Sequence, residues 1–226
     1  MIDELFNQNI LWQMSSSERA SILYLLSKTR KDSIAIEIGS YKGGFLQHLS
    51  KHFNLVYSLD INHDNIIDKD QYDNVVWITG DSAKTLPKLL KKLKDKDIGF
   101  ILIDGDHSSE AVLRDINNTL EYVPIKDTLI LMHDSWYVGT REAINKVNWN
   151  NSPYVQYVEK DFVPGDLVGY HFVGGLALSY LSTDKRHYDI EIRQSQDYMY
   201  SKGKQLLDEE MLMNNDDKCV LKWMNQ

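Results

Sequence analysis

Cysteine is all but absent. Cys219 stands alone, which excludes an intramolecular disulfide and a thiolate metal cage. A reducing, cytoplasmic setting is the expectation that follows. Proline is scarce as well, four in 226 residues, and neither a low-complexity tract nor an internal repeat divides the chain. Positive charge is in deficit: 25 Lys and Arg against 33 Asp and Glu leave a net charge of −8. Such a balance speaks against nucleic acid as a partner, because a phosphate-tracking surface is basic. No apolar run approaches the roughly 18 residues of a membrane span, and the N-terminal MIDELFNQNI is acidic where a secretory leader is basic. What is present is ordinary globular composition, 42% hydrophobic and 26% charged, enough to build a core without staples. The expectation is a single soluble domain over residues 1–226.

Periodicity supplies the organisation. Residues 1–30 read as a helical N-terminal addition, with Ser15 and Glu18 spaced as a capping box. Five short apolar runs follow: IAIEI (34–38), LVYSLDI (55–61), VVWIT (75–79), IGFILID (98–104) and TLILMHD (128–134). Several lack strict alternation, as strands buried on both faces should. The segments between them carry apolar positions three or four apart, so strand and helix alternate around a mostly parallel sheet. The lysines from Lys84 to Lys96 read as the solvated face of one such helix, with Leu86, Leu89, Leu90 and Leu93 on its buried stripe. YVQYVEK (154–160) and GGLALSYLS (174–182) read as two late strands on either side of a loop, DFVPGDLVGYHF. Residues 31–182 thus form a Rossmann-like doubly wound core, and 183–226 a C-terminal extension with a helical tail. The helical ends and exposed aromatics leave a homodimer open.

The carboxyl ends of the strands carry the chemistry. The first strand runs into EIGSYKGG, Glu37 to Gly44, a glycine-bearing turn that lets a ligand approach the backbone. Tyr41 stands where the dinucleotide fingerprint has its second glycine, the one that admits pyrophosphate. A ligand without pyrophosphate tolerates that side chain better. Asp60 ends the second strand, where a carboxylate can bind both ribose hydroxyls. Asp81, after the third strand, lies with Ser82 beside the place of an adenine ring, and either can cap the next helix. A ligand crevice explains the three features together.

EIGSYKGG, SLDI, TGDS, IDGDHSSEAVLRDI and LMHDS resemble the class I S-adenosylmethionine-dependent methyltransferases. The closest branch holds macrocin-type sugar O-methyltransferases and cephalosporin-hydroxylase-like proteins, and the resemblance runs from residue 34 to about 146. It implies a seven-stranded sheet with an antiparallel last strand. It implies, too, that Glu37, Gly39, Ser40 and Gly43 line the cofactor turn, that Asp60 holds the ribose, and that Asp81 and Ser82 flank the adenine.

Asp104 and Asp134 end the fourth and fifth strands. Neighbouring parallel strands lie ~4.8 Å apart, so two carboxylates would project side by side. A shared divalent cation, Mg²⁺ or another, relieves their repulsion, with His133 a third ligand or turned away. The resembling metal-dependent enzymes carry an acidic pair at the positions of His133 and Asp134, from which this chain departs at His133. His107 lies on the turn after Asp104 and can take a proton from a substrate oxygen, the role that a histidine at this spacing is assigned in the resembling enzymes. Asp106 reads as a helix-terminal acid, and Arg114 and Asp115 as surface or structural pairs. Trp136, Tyr137, Tyr170, His171 and Phe172 suit either a stacking rim or core packing. The expected reaction is methyl transfer to a hydroxyl of a small-molecule acceptor, with Asp104 and His107 catalytic and Asp104, His133 and Asp134 holding the cation. Three alternatives remain open: a cephalosporin-hydroxylase-like protein, a non-catalytic nucleoside-binding domain, and an NAD-dependent oxidoreductase.

Overall fold

A computed structural model describes residues 12–169, 171–193 and 196–213. The capping box forms as the spacing demands: Ser15 Oγ accepts from Glu18 N, and Glu18 returns a carboxylate oxygen to Ser15 N, which starts helix α1 (Ser16–Leu26). Five strands then follow, alternating with helices except between β2 and β3, where a single 3-10 turn (Lys69–Gln71) stands: β1 (Ile34–Ile38), α2 (Leu46–His52), β2 (Leu55–Asp60), β3 (Val75–Thr79), α3 (Ser82–Lys92), β4 (Ile98–Ile103), α4 (Ser109–Leu120), β5 (Thr128–His133) and α5 (Val138–Lys146). Every residue of β1 and β4 is buried, which accounts for their unbroken apolar runs. On α3 the leucine stripe is buried and the lysines face solvent.

Beyond α5 come β6 (Val155–Val163), a small hairpin of β7 (Asp166–Val168) and β8 (His171–Val173), then β9 (Leu176–Leu181) and helix α6 (Asp197–Met213). The main sheet has seven strands in the order β3-β2-β1-β4-β5-β9-β6. Strands β1 to β5 are parallel, and β9 runs antiparallel between β5 and β6. The stretch read from sequence as a loop holds the hairpin, whose three-residue strands are too short to show a period of two. Residues 1–11 and 214–226, including Cys219 and most of the expected helical tail, lie outside the described residues, as does Tyr170. Among the described residues no helix is long and apolar enough to cross a membrane.

One apolar layer lies on each face of the sheet. Leu86, Leu89, Val112, Ile116, Ala143 and Ile144 cover one face; Trp12, Ile22, Leu26, Leu46 and Leu49 cover the other. The N-terminal helix is thus part of the second layer. A third cluster, Trp136, Phe172, Tyr200 and Leu207, fastens α6 to the β7–β8 hairpin, with Phe172 and Tyr200 stacked at 4.5 Å. Beneath it Arg141, 2% exposed, gives Nη1 to Asp161 Oδ1 at 2.7 Å and Nη2 to Asp197 Oδ1 at 3.0 Å. Lys160 reaches the same Asp197 oxygen at 2.8 Å.

Removing one partner of a buried ion pair strands the other charge away from water, which costs about 3–5 kcal/mol. Asp161→Ala is expected to lose that much stability in urea unfolding. A loss no larger than that of an ordinary surface substitution would mean that Asp197 alone can satisfy Arg141.

Candidate active site

The strand order reverses between β1 and β4, and a ligand crevice forms at the carboxyl edge where such a reversal occurs. Here the edge opens into a cleft of about 1360 Å³. Its wall includes Glu37, Gly39, Ser40, Asp60, Asp81, Ser82, Asp104, His107, His133 and Asp134. Ten of the eleven residues singled out from sequence therefore share one surface. The eleventh, Gly43, faces Ile66 and Tyr72 instead, and its neighbour Gly44 takes the place on the wall.

The turn after β1 is built around Gly39, with φ +87°. A side chain there would drive into the backbone of Asp104 and Gly105. Tyr41 is left-handed at φ +48°, half exposed and part of the cleft wall. Asp60 ties this turn to β2: Oδ2 accepts from Ser40 N at 2.7 Å and Tyr41 N at 2.9 Å, and Oδ1 from Asn62 N at 2.9 Å. Ser40 Oγ donates to Glu37 Oε2 at 2.6 Å. Glu37 is wholly buried, and burial, with Asp104 and Asp60 adding their negative charge, pushes its carboxyl up to about 8 against the pull of Ser40. Asp81 caps α3 through Ala83 N at 2.8 Å, and Ser82 Oγ donates to Asp115 Oδ2 at 2.8 Å. Asp115, read as a surface or structural group, is a buried link between α3 and α4.

At the other end of the cleft, one donor atom each from Asp104, His133 and Asp134 lies within 4.8 Å of the others. His133 turns inward, with Nδ1 2.8 Å from Asp104 Oδ1 and 3.5 Å from Asp134 Oδ2. His107 Nε2 is 3.4 Å from Asp104 Oδ1 and 3.3 Å from Asp134 Oδ2. Burial alone would push the His133 ring down, but the charge of Asp104 and the carboxylates around it hold the ring well above the ordinary imidazole range. Burial pushes Asp104 up, and the two imidazoles more than reverse that. His107 is raised, first by its hydrogen bond to Asp104. Asp134 takes φ +54°, and its Oδ1 accepts from Gly174 N at 2.8 Å.

Two groups of wall residues escaped the sequence reading. Trp12, Met14, Glu18 and Arg19 come from the N-terminal segment, and Asp166, Val173 and Gly174 from the hairpin and its exit. The capping box signalled that Glu18 starts a helix, not that the helix lies against the cleft. The aromatics divide the other way. Trp136 is buried, donates Nε1 to Asp161 at 2.9 Å and packs on Phe172 and Tyr200, so core packing claims Trp136 and Phe172. Tyr137 stands exposed beside His107, ring to ring at 5.8 Å. Asp106 binds Ser108 N at 2.8 Å at the start of α4, as a helix-terminal acid should.

Residues 36–135 match the family model described as a methyltransferase domain. Over those 100 residues the chain is similar to a methyltransferase domain. The match runs from β1 to the residue after Asp134, and so spans both ends of the cleft. No curated protein matches the sequence significantly. Among solved structures, one described as an O-methyltransferase from Klebsiella pneumoniae is 13% identical over 80% of this chain and 87% of its own, with a TM-score of 0.53. One described as a hemolysin from Lactococcus lactis is 16% identical over 81% and 93%, with a TM-score of 0.53. At these identities the likeness is one of fold: a mostly parallel seven-stranded sheet with helices on both faces, the Rossmann-like arrangement.

The raised carboxyl of Glu37 fixes a pH dependence of the domain's stability. Between 4.5, its value when solvated, and about 8, its folded value, the native state holds a proton that the unfolded state has released. Stability from this group is therefore full below that window and falls as pH rises through it. Glu37→Gln, which cannot ionise, is expected to melt several degrees higher than the wild type at pH 8 and level with it at pH 4. Parallel melting curves at both pH values would mean that Glu37 is ionised in the fold.

Proposed function

We propose that the protein transfers the methyl group of S-adenosylmethionine to a hydroxyl oxygen of a small molecule, a sugar or similar polyol-like natural product. The observation that carries this reading is the continuity of one cleft from the Gly39–Tyr41 turn to the cluster of Asp104, His107, His133 and Asp134.

In this reading Asp60, already oriented by three backbone amides, holds the ribose. Asp81 and Ser82 are committed to the helix cap and to Asp115, so they offer shape and backbone groups to the adenine wall. S-adenosylmethionine supplies an activated methyl group on a positively charged sulfur. The acceptor oxygen attacks in line: its electron pair forms the new carbon–oxygen bond as the methyl–sulfur pair returns to sulfur. The hydroxyl proton ends on the imidazole of His107, and orientation by the cleft supplies most of the acceleration. The raised imidazole is a stronger base, but it must first be neutral, and the two nearby carboxylates oppose that.

The donor set of Asp104, His133 and Asp134 would suit a divalent cation, since one atom of each lies within 4.8 Å of the others, once the His133 ring gives up a proton. The carboxylates suit Mg²⁺ or Mn²⁺, and the imidazole favours a later transition ion. Bound there, a cation would supply Lewis-acid activation of the acceptor and offset the carboxylate charge beside His107.

Calorimetric titration of S-adenosylmethionine into the protein, with Mg²⁺ and again after EDTA, tests the cofactor. Micromolar binding is expected, with heat or affinity changed by the cation. Asp60→Ala should weaken it by about 10- to 100-fold, the loss of a charged hydrogen-bonding group. Binding of NADH in its place would sink the proposal. His107→Ala is expected to keep cofactor affinity and lose turnover on any acceptor found; equal loss of both would leave His107 a structural residue.

A further inference from the structure

The first turn of α1 does more than begin a helix. Glu18 is only 2% exposed, although a capping box works as well on a solvated surface. Its Oε2 accepts from Ser15 N at 2.6 Å, which completes the box. Its Oε1 is turned the other way, into the protein. There it accepts from Gly175 N at 2.7 Å and lies 3.2 Å from His133 Nε2.

The turn that carries Gly175 also carries Gly174, whose N–H goes to Asp134 Oδ1 at 2.8 Å. Successive amides of one turn thus serve Glu18 and Asp134. Both glycines have positive φ, +68° and +87°, and a Cβ at Gly174 would stand 3.1 Å from Glu18 Oε1, so the carboxylate is seated tightly against the turn. On its far side His133 meets Asp104 through Nδ1. The ring is spanned by carboxylates from two distant parts of the chain, one at each nitrogen.

We infer that Glu18 is a positioning residue of the reacting centre: it fixes the ring of His133 from the Nε2 side and, through the Gly174–Gly175 turn, the carboxylate of Asp134. Its meaning for catalysis rests on the proposed methyl-transfer reading of the cleft. A carboxylate 3.2 Å from one ring nitrogen of a histidine holds the ring's orientation, and here it leaves Nδ1 as the atom presented to Asp104 and Asp134. The N-terminal helix is therefore a component of the site rather than an addition beside it.

Two variants separate this role from helix capping. Glu18→Gln keeps the shape and an oxygen for Gly175 N but removes the charge facing His133. Ser15→Ala removes the capping hydroxyl and leaves Oε1 untouched. Ring nitrogen resonances of the full-length ¹⁵N-labelled protein are the readout, with His133→Asn assigning the signals of His133 among the seven histidines. Glu18→Gln is expected to shift both His133 nitrogens, while Ser15→Ala lowers the melting temperature and leaves them in place. Affinity for S-adenosylmethionine should be the same in both variants as in the wild type. Unmoved His133 signals in Glu18→Gln, or an equal shift in Ser15→Ala, overturn the inference. If Glu18→Gln does not fold, Glu18→Asp withdraws the carboxylate from Nε2 without discarding its charge, and the same comparison applies. A wild type that binds no S-adenosylmethionine would remove the methyl-transfer reading, whereas the ring signals alone decide the role of Glu18.

Discussion

The backbone of Gly39 lies against that of Asp104, close enough that a Cβ would stand 2.8 Å from the Cα of Gly105 and collide with the Asp104 carbonyl. Two main-chain bonds hold the contact, Gly39 N to Leu59 O and Asp104 N to Ile38 O, both at 2.8 Å. This is the point where β1 is flanked by β2 on one side and β4 on the other. Because the two strands leave the sheet together here, the turn after β1 and the turn after β4 face a common space. Ser40 and Asp60 on one side and Asp104 and His107 on the other are then neighbours by construction, and a bulkier residue at position 39 would separate them.

Around that contact the domain gathers carboxylates, and much of its remaining architecture keeps them from repelling one another. Each is handled by a different means. Asp60 is surrounded by backbone amides. Glu37 holds its proton. Asp104 and Asp134 face two imidazoles, one of which also neutralises Glu18. An excess of acid at a site is costly unless each charge has its own partner, and the histidines are the partners that the sequence makes available here. Where the resembling enzymes place an acidic residue, His133 brings the opposite charge, so the cluster is nearer to balance before any cation enters.

Much of this was legible in the residues. Buried parallel strands announce themselves by unbroken apolar runs, as β1 does; β3 also falls on its run, although it is the edge strand and only Val75 of it is buried. The runs ending in Ile61, Asp104 and Asp134 each overshoot by one residue, because the chain leaves the sheet there to aim a side chain at the cleft. Gly43 looked like part of the turn because spacing says which residues are near a ligand, not which way the chain bends; at φ +84° it faces Ile66. Trp136 and Phe172 could not be told from a stacking rim, since core and rim use the same aromatic types. Glu18 is the instructive omission. Its local role was plain from Ser15 three residues before it, but its second role depends on Gly175, at a separation of 157 residues, and no local pattern carries such information.

That separation has a consequence for the order in which the protein takes shape. The end of the cleft around Gly39 and Asp60 draws on residues 37–104, a span complete once β4 has paired with β1. The Glu18–Gly175 bond and the Asp134–Gly174 bond must await β9, which enters the sheet only after the β7–β8 hairpin. Contacts that close long loops form late. During synthesis the turn after β1 can therefore mature while the opposite end is still a set of unbalanced charges, which meet their last partners only when β9 arrives.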